Sequence, residues 1–458
     1  MADTPTRALP IDSREQPILD ALFAIQADLT MLKQDRSTYV KSSDVMALYD
    51  RTVAQVQALN EVRSEHPRQE NRGEDTWLSH GKAASSDNQA VDRVMEGCFQ
   101  LLSLFFMTIG KNNEAPAAYA LTSTIKRLLD HLTEAALYSA KDLDHIAHTL
   151  RNLREIISNA DGKYAPKLVT LLSNRANVCS ELCYGLQQQL QRLDPSLADI
   201  NERLISILRC ISLKNTKAKF SATELINFQQ QVREIDAQRV DGHFVNEQKE
   251  PLAGDAEITD LLQRILLWCD IVLERKGVFP EPFRATYDKL VSIRNDLERL
   301  SLTQAWSLRE TDLYDFQRQL DRIDESRVNG NFLDTEGNAA DLFVQRTFLY
   351  LIRRSYGYIY YLMVSSEPVS EALLPIYNQL LTLRRCLIEV RESGGVSSPR
   401  ELYPYSMKLN SLDNMKIDGK FMVGGEIPEG QGSVADLLAE CFELNYELRV
   451  AAETDDDK

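Results

Sequence analysis

The sequence predicts an all-α protein, a tandem array of three-helix repeats of about 80–89 residues with about 15 helices, built as a solenoid or as stacked helical bundles. Three observations carry this. Only 19 glycines and 15 prolines interrupt 458 residues, which leaves little room for the turns of a sandwich or barrel, while Leu, Gln, Glu and Arg abound. One helix ending returns three times without a gap, as FQQQVREIDAQRVDGHF at 228–244, FQRQLDRIDESRVNGNF at 316–332 and YSMKLNSLDNMKIDGKF at 405–421. Its glycines, Gly242, Gly330 and Gly419, are 88 and 89 residues apart, the span of three helices with their loops.

The elements follow in order. After a flexible start at 1–14, residues 15–63 read as two helices, at about 15–35 and 43–63, of a repeat lacking its first helix, because Pro17 to Leu29 parallels Pro375 to Leu387. Residues 64–88 are Ser-, Asn-, Glu- and Gly-rich and read as a polar loop. Repeats follow at 89–164, 165–244, 245–332 and 333–421, the first with a diverged ending at Asp161-Gly162-Lys163-Tyr164. Each third helix opens with capping-box spacing, at Ser139/Asp142, Ser221/Glu224, Ser307/Glu310 and Ser398/Glu401. Each ending glycine suits a left-handed helix C-cap, with the following aromatic (Phe244, Phe332, Phe421) folding back on the last turn. A Gly-rich loop at 422–432, a closing helix at 433–450 that supplies the missing first helix, and an acidic tail at 451–458 complete the chain.

Fifty-two basic against 68 acidic residues give a net charge of −16, which argues against nucleic acid as the main ligand and against a polybasic hold on anionic lipid. No apolar run reaches the roughly 20 residues of a membrane span, and the first residues carry no secretory pattern. Seven cysteines, Cys98, Cys179, Cys183, Cys210, Cys269, Cys386 and Cys441, sit mostly beside apolar residues and read as reduced core thiols of a cytoplasmic or nuclear protein.

Through Asp236–Phe244, Asp324–Phe332 and Asp413–Phe421, the Pro-led middle helices and the shortened first unit, the chain resembles a fungal family of uncharacterised all-helical proteins. That family is classed under a domain of unknown function, with members in yeasts and filamentous fungi. The resemblance spans about residues 11–450. It implies an intracellular fungal protein and brings no reaction, cofactor or ligand.

Motifs for catalysis are missing: there is no phosphate loop, GxGxxG, HExxH, GxSxG or paired CxxC, so neither an enzyme nor a cofactor is expected. The residues nearest to a metal set are Asp142, Asp144, His145 and His148 with Asp130 and His131, read as capping and solvated groups. A basic column, Lys126, Arg209, Arg294 and Arg384, is expected to pair with the Asp column, Asp236, Asp324 and Asp413. The function expected is a scaffold or adaptor for protein partners, with the partner surface at Arg353, Arg354, Tyr356, Tyr358, Arg384 and Arg385, where arginine and tyrosine accumulate. The alternative is a module binding a small anion, phosphorylated ligand or lipid headgroup through the basic column. Arginines facing the Asp column favour the first; arginines converging without acidic partners favour the second.

Overall fold

The structure, a computed structural model, describes residues 13–64, 89–160, 162–217 and 219–456. Among these the protein is an all-α helical array of fifteen helices with one two-stranded hairpin. The expectations for residues 1–12, the loop at 65–88, Asp161 and the last two residues lie outside the described residues. The helices are α1 (Gln16–Gln34), α2 (Ser42–Ser64), α3 (Gln89–Thr108), α4 (Ala118–Ala135), α5 (Ala140–Ser158), α6 (Pro166–Gln191), α7 (Pro195–Asn215) and α8 (Ala222–Asp236). They continue with α9 (Asp255–Arg275), α10 (Arg284–Ser307), α11 (Leu313–Glu325), α12 (Leu342–Val364), α13 (Leu374–Glu392), α14 (Tyr403–Asp413) and α15 (Gln431–Asp456). Helix α15 runs through the expected acidic tail as far as Asp456, since AAETDD contains no breaker.

The packing places the boundaries of the triplets one helix away from the sequence reading. Helix α3 lies against α1 and α2, α9 against α7 and α8, and α15 against α13 and α14. Helix α6 packs along α5, and its Cys179 reaches the Thr122 carbonyl of α4. Helix α12 bonds to α11 through Tyr356 and to α10 through Tyr358. Three triplets thus pack mutually, α1–α3, α7–α9 and α13–α15, each starting where a proline stands, at Pro17, Pro195 and Pro375; Pro116 and Pro282 stand just before α4 and α10 in the same way. Proline suits a first turn because its missing N–H is unpaired there in any case.

The recurrent glycine is not a helix cap. Helices α8, α11 and α14 end at Asp236, Glu325 and Asp413, several residues earlier. The pairs Asp241–Gly242, Asn329–Gly330 and Asp418–Gly419 all have positive φ at both residues, +51° then +77° to +87°, the signature of a type I′ hairpin turn. Val240 faces His243, Val328 faces Asn331, and strands β1 (Lys416–Ile417) and β2 (Lys420–Phe421) pair around the third turn. Each hairpin turns the chain so that the following phenylalanine enters the core, where the next helix holds its backbone. Phe244 N–H donates to Asp255, while Gln345 and Gln431 each accept from the N–H and donate to the carbonyl of Phe332 and Phe421. Gly330→Ala is expected to lower stability by about 1 kcal/mol, because φ +80° is left-handed although a Cβ would meet only Glu134 Oε1 at 4.0 Å. Denaturant unfolding beside Gly432→Ala, which has no such φ, checks this; equal midpoints would sink it.

Two of the four capping boxes differ from expectation. Ser139 and Asp142 form the full reciprocal box, and Ser221 accepts from Glu224 N–H. Ser398 accepts from Arg400 N–H instead of Glu401. Glu310 is buried instead, its carboxylate accepting from Thr108 and Ser366, and burial pushes its proton affinity up; the side chain of Ser307 lies outside the described residues.

The chain divides into two compact units. One comprises the described parts of 1–120, 302–314 and 365–458; the other comprises 121–301 and 315–364. In the first, the α1–α2 loop and the end of α3 meet the segment before α13. Arg309 joins them by a buried two-pronged pair with Glu371, at 2.6 and 2.9 Å, while it also donates to the Asp35 carbonyl at 2.7 Å. Pro368–Ser370 threads between Gly110 and Gly430, whose backbones it approaches so closely that no Cβ fits at either. In the second unit, α7, α9 and α12 pack together. Trp268, Tyr356 and Phe348 are fully buried there.

Candidate functional site

The Asp column does not pair with the basic column. Each Asp instead forms an ion pair with the basic residue three positions on, Asp236 with Arg239, Asp324 with Arg327 and Asp413 with Lys416, one turn away at the helix end. Arg239 continues to the Gly242 carbonyl at 2.9 Å, so the pair fastens helix to hairpin. The middle-helix bases find other partners: Lys126 holds Asp130 at 2.5 Å, Arg209 holds Asp142, Arg294 donates to the Thr216 carbonyl at 3.2 Å, and Arg384 holds Glu440 at 2.6 Å. These bases lie on the bundle's first helix, whereas the Asp column sits at the end of its second, so the local i,i+3 partner wins.

At the second ending the pair grows into a buried network of α4, α11 and α12. Asp324 accepts from His131 at 3.1 Å; Arg127 approaches Asp321 at 3.4 Å, Asp324 at 3.7 Å and Glu325 at 3.1 Å. Arg327 Nε stands 2.9 Å from Asp324 Oδ1 as an ion-pair contact without a hydrogen bond between them. Burial pushes the Asp324 carboxyl up, but His131, Arg327 and Arg127 outweigh it, and the carboxyl is held below its ordinary value.

Of the six residues expected to form a partner surface, Tyr356 is not on the surface. It is 1% exposed and donates to Asp321 at 2.7 Å, since its position on α12 faces α11. Arg354 is exposed and stacks over the Tyr358 ring at 4.4 Å, and Tyr358 donates to Glu298. Arg384 and Arg385 belong to the other unit, half-buried and exposed respectively.

Arg353 is different. It is half-buried on α12 and has no hydrogen-bond or ion-pair partner among the described residues. Its guanidinium is pushed down to about 10, first by burial and further by Arg209 of α7 and Arg264 of α9, against the pull of Glu134. Arg346, two turns earlier on the same face, donates to the Arg264 carbonyl at 3.1 Å and lies over the Trp268 ring at 5.7 Å. Burial and Arg264 hold Arg346 below the ordinary arginine value too. Arg264 donates to the Ala135 carbonyl at 2.8 Å, beside Glu134, and stands 3.6 Å from Asp260.

The metal-like residues disperse: Asp142 goes to Arg209, Asp144 accepts from Gln187, His145 meets the Tyr360 ring, and His148 meets Asn152. No group of three or more His, Cys, Asp or Glu gathers among the described residues. Five of the seven free cysteines are buried, their thiols pushed up to about 11 or 12 by burial, but Cys210 is half-buried and Cys386 is exposed, because their positions on α7 and α13 turn outward. A cavity of about 620 Å³ in the first unit is lined by Arg36, Thr38, Arg309, Glu371 and Asn378, with Arg36 and Arg309 already engaged by Asp312 and Glu371.

An apolar surface appears that the sequence reading missed. Tyr403 (65% exposed) and Met407 lie one turn apart on α14, and Tyr446 (58% exposed) and Val450 one turn apart on α15. Asn445 donates to Ser406 at 3.0 Å and holds the two helices side by side. The pattern of i,i+4 apolar positions flanked by polar ones was its signal.

No helix among the described residues is long and apolar enough to cross a membrane. The family described as "Protein of unknown function (DUF2408)" matches residues 190–310 and 366–458. The chain is 36% identical over 451 residues to a CUB1 family protein of Schizosaccharomyces pombe, covering 96% of this chain and 94% of the relative. It is 34% identical over 508 residues to the Cu(2+) suppressing and bleomycin sensitive protein 1 of Saccharomyces cerevisiae, covering 97% and 91%. No solved structure matches it.

Proposed function

The chain belongs to the fungal CUB1 family, and from that premise we propose that it is a non-enzymatic scaffold or adaptor that binds protein partners inside the cell. The observation that carries this reading is the exposed Tyr403, Met407, Tyr446 and Val450 on α14 and α15. Tyrosine and methionine are enriched at protein interfaces, tyrosine supplying rigid contact area with few rotatable bonds and methionine an adaptable apolar one. The framework behind them is well packed, with Leu409, Leu412, Leu438, Cys441 and Leu444 buried on the opposite faces. Seven free thiols support a reducing compartment, cytoplasm or nucleus.

Replacing Tyr403 and Tyr446 together by aspartate is expected to remove a subset of co-purifying proteins from a fungal lysate, with stability changed by no more than about 0.5 kcal/mol, as for most surface substitutions. A folded variant that keeps every partner would refute this surface.

A further inference from the structure

We propose that α7, α9 and α12 form a binding site for a small polyphosphorylated ligand, held by Arg209, Arg264, Arg346 and Arg353. The inference is independent of the scaffold reading. Four guanidinium groups come from three helices that pack on one another. Their register is fixed by the Arg346 bond to Arg264 O and by the Asn215 bond from α7 to Thr347 of α12, at 3.1 Å. Three carboxylates face these four arginines, Asp142 on Arg209, Asp260 near Arg264, and Glu134, which acts on Arg353 while paired to Arg327 at 2.6 Å. In a chain of net charge −16, this local excess runs against the average.

Arg354 shows what a merely solvated arginine does on the same helix: it turns outward and stacks on a tyrosine. Arg353, its neighbour, is drawn inward beside like charges; Glu134 pulls on it from a distance, but no carboxylate forms a hydrogen bond or ion pair with it among the described residues. Bringing unpaired cations together out of water is unfavourable unless an anion joins them. Guanidinium suits phosphate oxygens because its fork donates two parallel hydrogen bonds, and several forks select a ligand with several phosphates over a single one. Exposed Arg209 stands at the rim, and half-buried Arg264, Arg346 and Arg353 lie deeper. Trp268 backs the Arg346 guanidinium and fixes its plane.

The test is calorimetric titration of the full chain with inositol hexakisphosphate at physiological salt, alongside co-sedimentation with vesicles containing phosphatidylinositol bisphosphate. Saturable binding that falls at least about tenfold in Arg346→Gln/Arg353→Gln, and is kept in the control Arg354→Gln/Arg385→Gln, supports the site. Binding of the soluble compound assigns a free ligand, and binding to vesicles alone assigns a headgroup. Absence of both, or equal loss in the control pair, overturns the proposal. Should the double variant unfold, Arg353→Lys keeps the charge and removes the fork; a site of this kind loses affinity in that variant also, and unchanged affinity overturns it.

Discussion

Replacing Asp324 by alanine is expected to destabilise the protein by about 3 kcal/mol, near the lower end of the 3–5 kcal/mol typical when one partner of a buried ion pair is removed. The side chain is 7% exposed and is the ion-pair partner of His131, itself 3% exposed. Asp321 and Glu134 still face Arg127 and Arg327 after the change, which keeps the loss from the top of the range. The same carboxylate sets an acid limb. Its folded proton affinity is depressed, so its contribution is fully present above the unfolded value of about 3.9 and is lost as pH falls through the lower folded value. Denaturant midpoints measured from pH 6 down to pH 3 should therefore fall less steeply in Asp324→Ala than in the parent. Parallel curves would remove Asp324 from the acid response.

Gly110→Ala is expected to cost about 2 to 5 kcal/mol. The residue has φ +81°, where an added Cβ costs about 1–2 kcal/mol. That Cβ would stand 2.5 Å from Ser370 N and 2.9 Å from Val369 C, an overpacking worth a further 1–3 kcal/mol. The segment cannot retreat. On its far side a Cβ on Gly430 would come within 2.8 Å of Val369 Cα, and the segment is pinned by Ser370 N–H to Glu429 O at 3.1 Å and Glu371 N–H to Thr108 O at 2.9 Å. Thermal unfolding would measure the loss, and a change no larger than that of Gly330→Ala would mean the strand of chain can move aside.

The helices and their period were legible because leucine spacing and the DG or NG columns are local signals. Phase was not. Matching FQQQ…GHF to FQRQ…GNF aligns copies of one stretch of chain, but which helix closes which bundle is settled by packing between residues far apart in sequence. The prolines at 17, 116, 195, 282 and 375 mark that phase. The Asp-Gly and Asn-Gly steps carried a second signal, since paired positive-φ residues between Val and His or Asn read as a hairpin more directly than as a helix cap. For the site, Arg209 is legible from the basic column and Arg353 from the local accumulation of arginine and tyrosine, whereas Arg264 and Arg346 belong to different repeats and have no column. Tyr356 shows the converse: an aromatic helix looks alike from all sides until a neighbour claims one of them.

The first unit is made of the described parts of residues 1–120, 302–314 and 365–458, and this has a consequence for biosynthesis. At 5–20 residues per second, about 12 to 50 s separate the emergence of residue 120 from that of residue 365. Throughout that interval Thr108 O, Gly110 and the α1–α2 loop have no Pro368–Glu371 segment to receive. The second unit's sequence, interrupted only by 302–314, is meanwhile supplied almost in one piece and can complete its core on the ribosome. The nascent first unit waits with its seam open. A chain terminated before α13 cannot close that seam, however well its middle has folded.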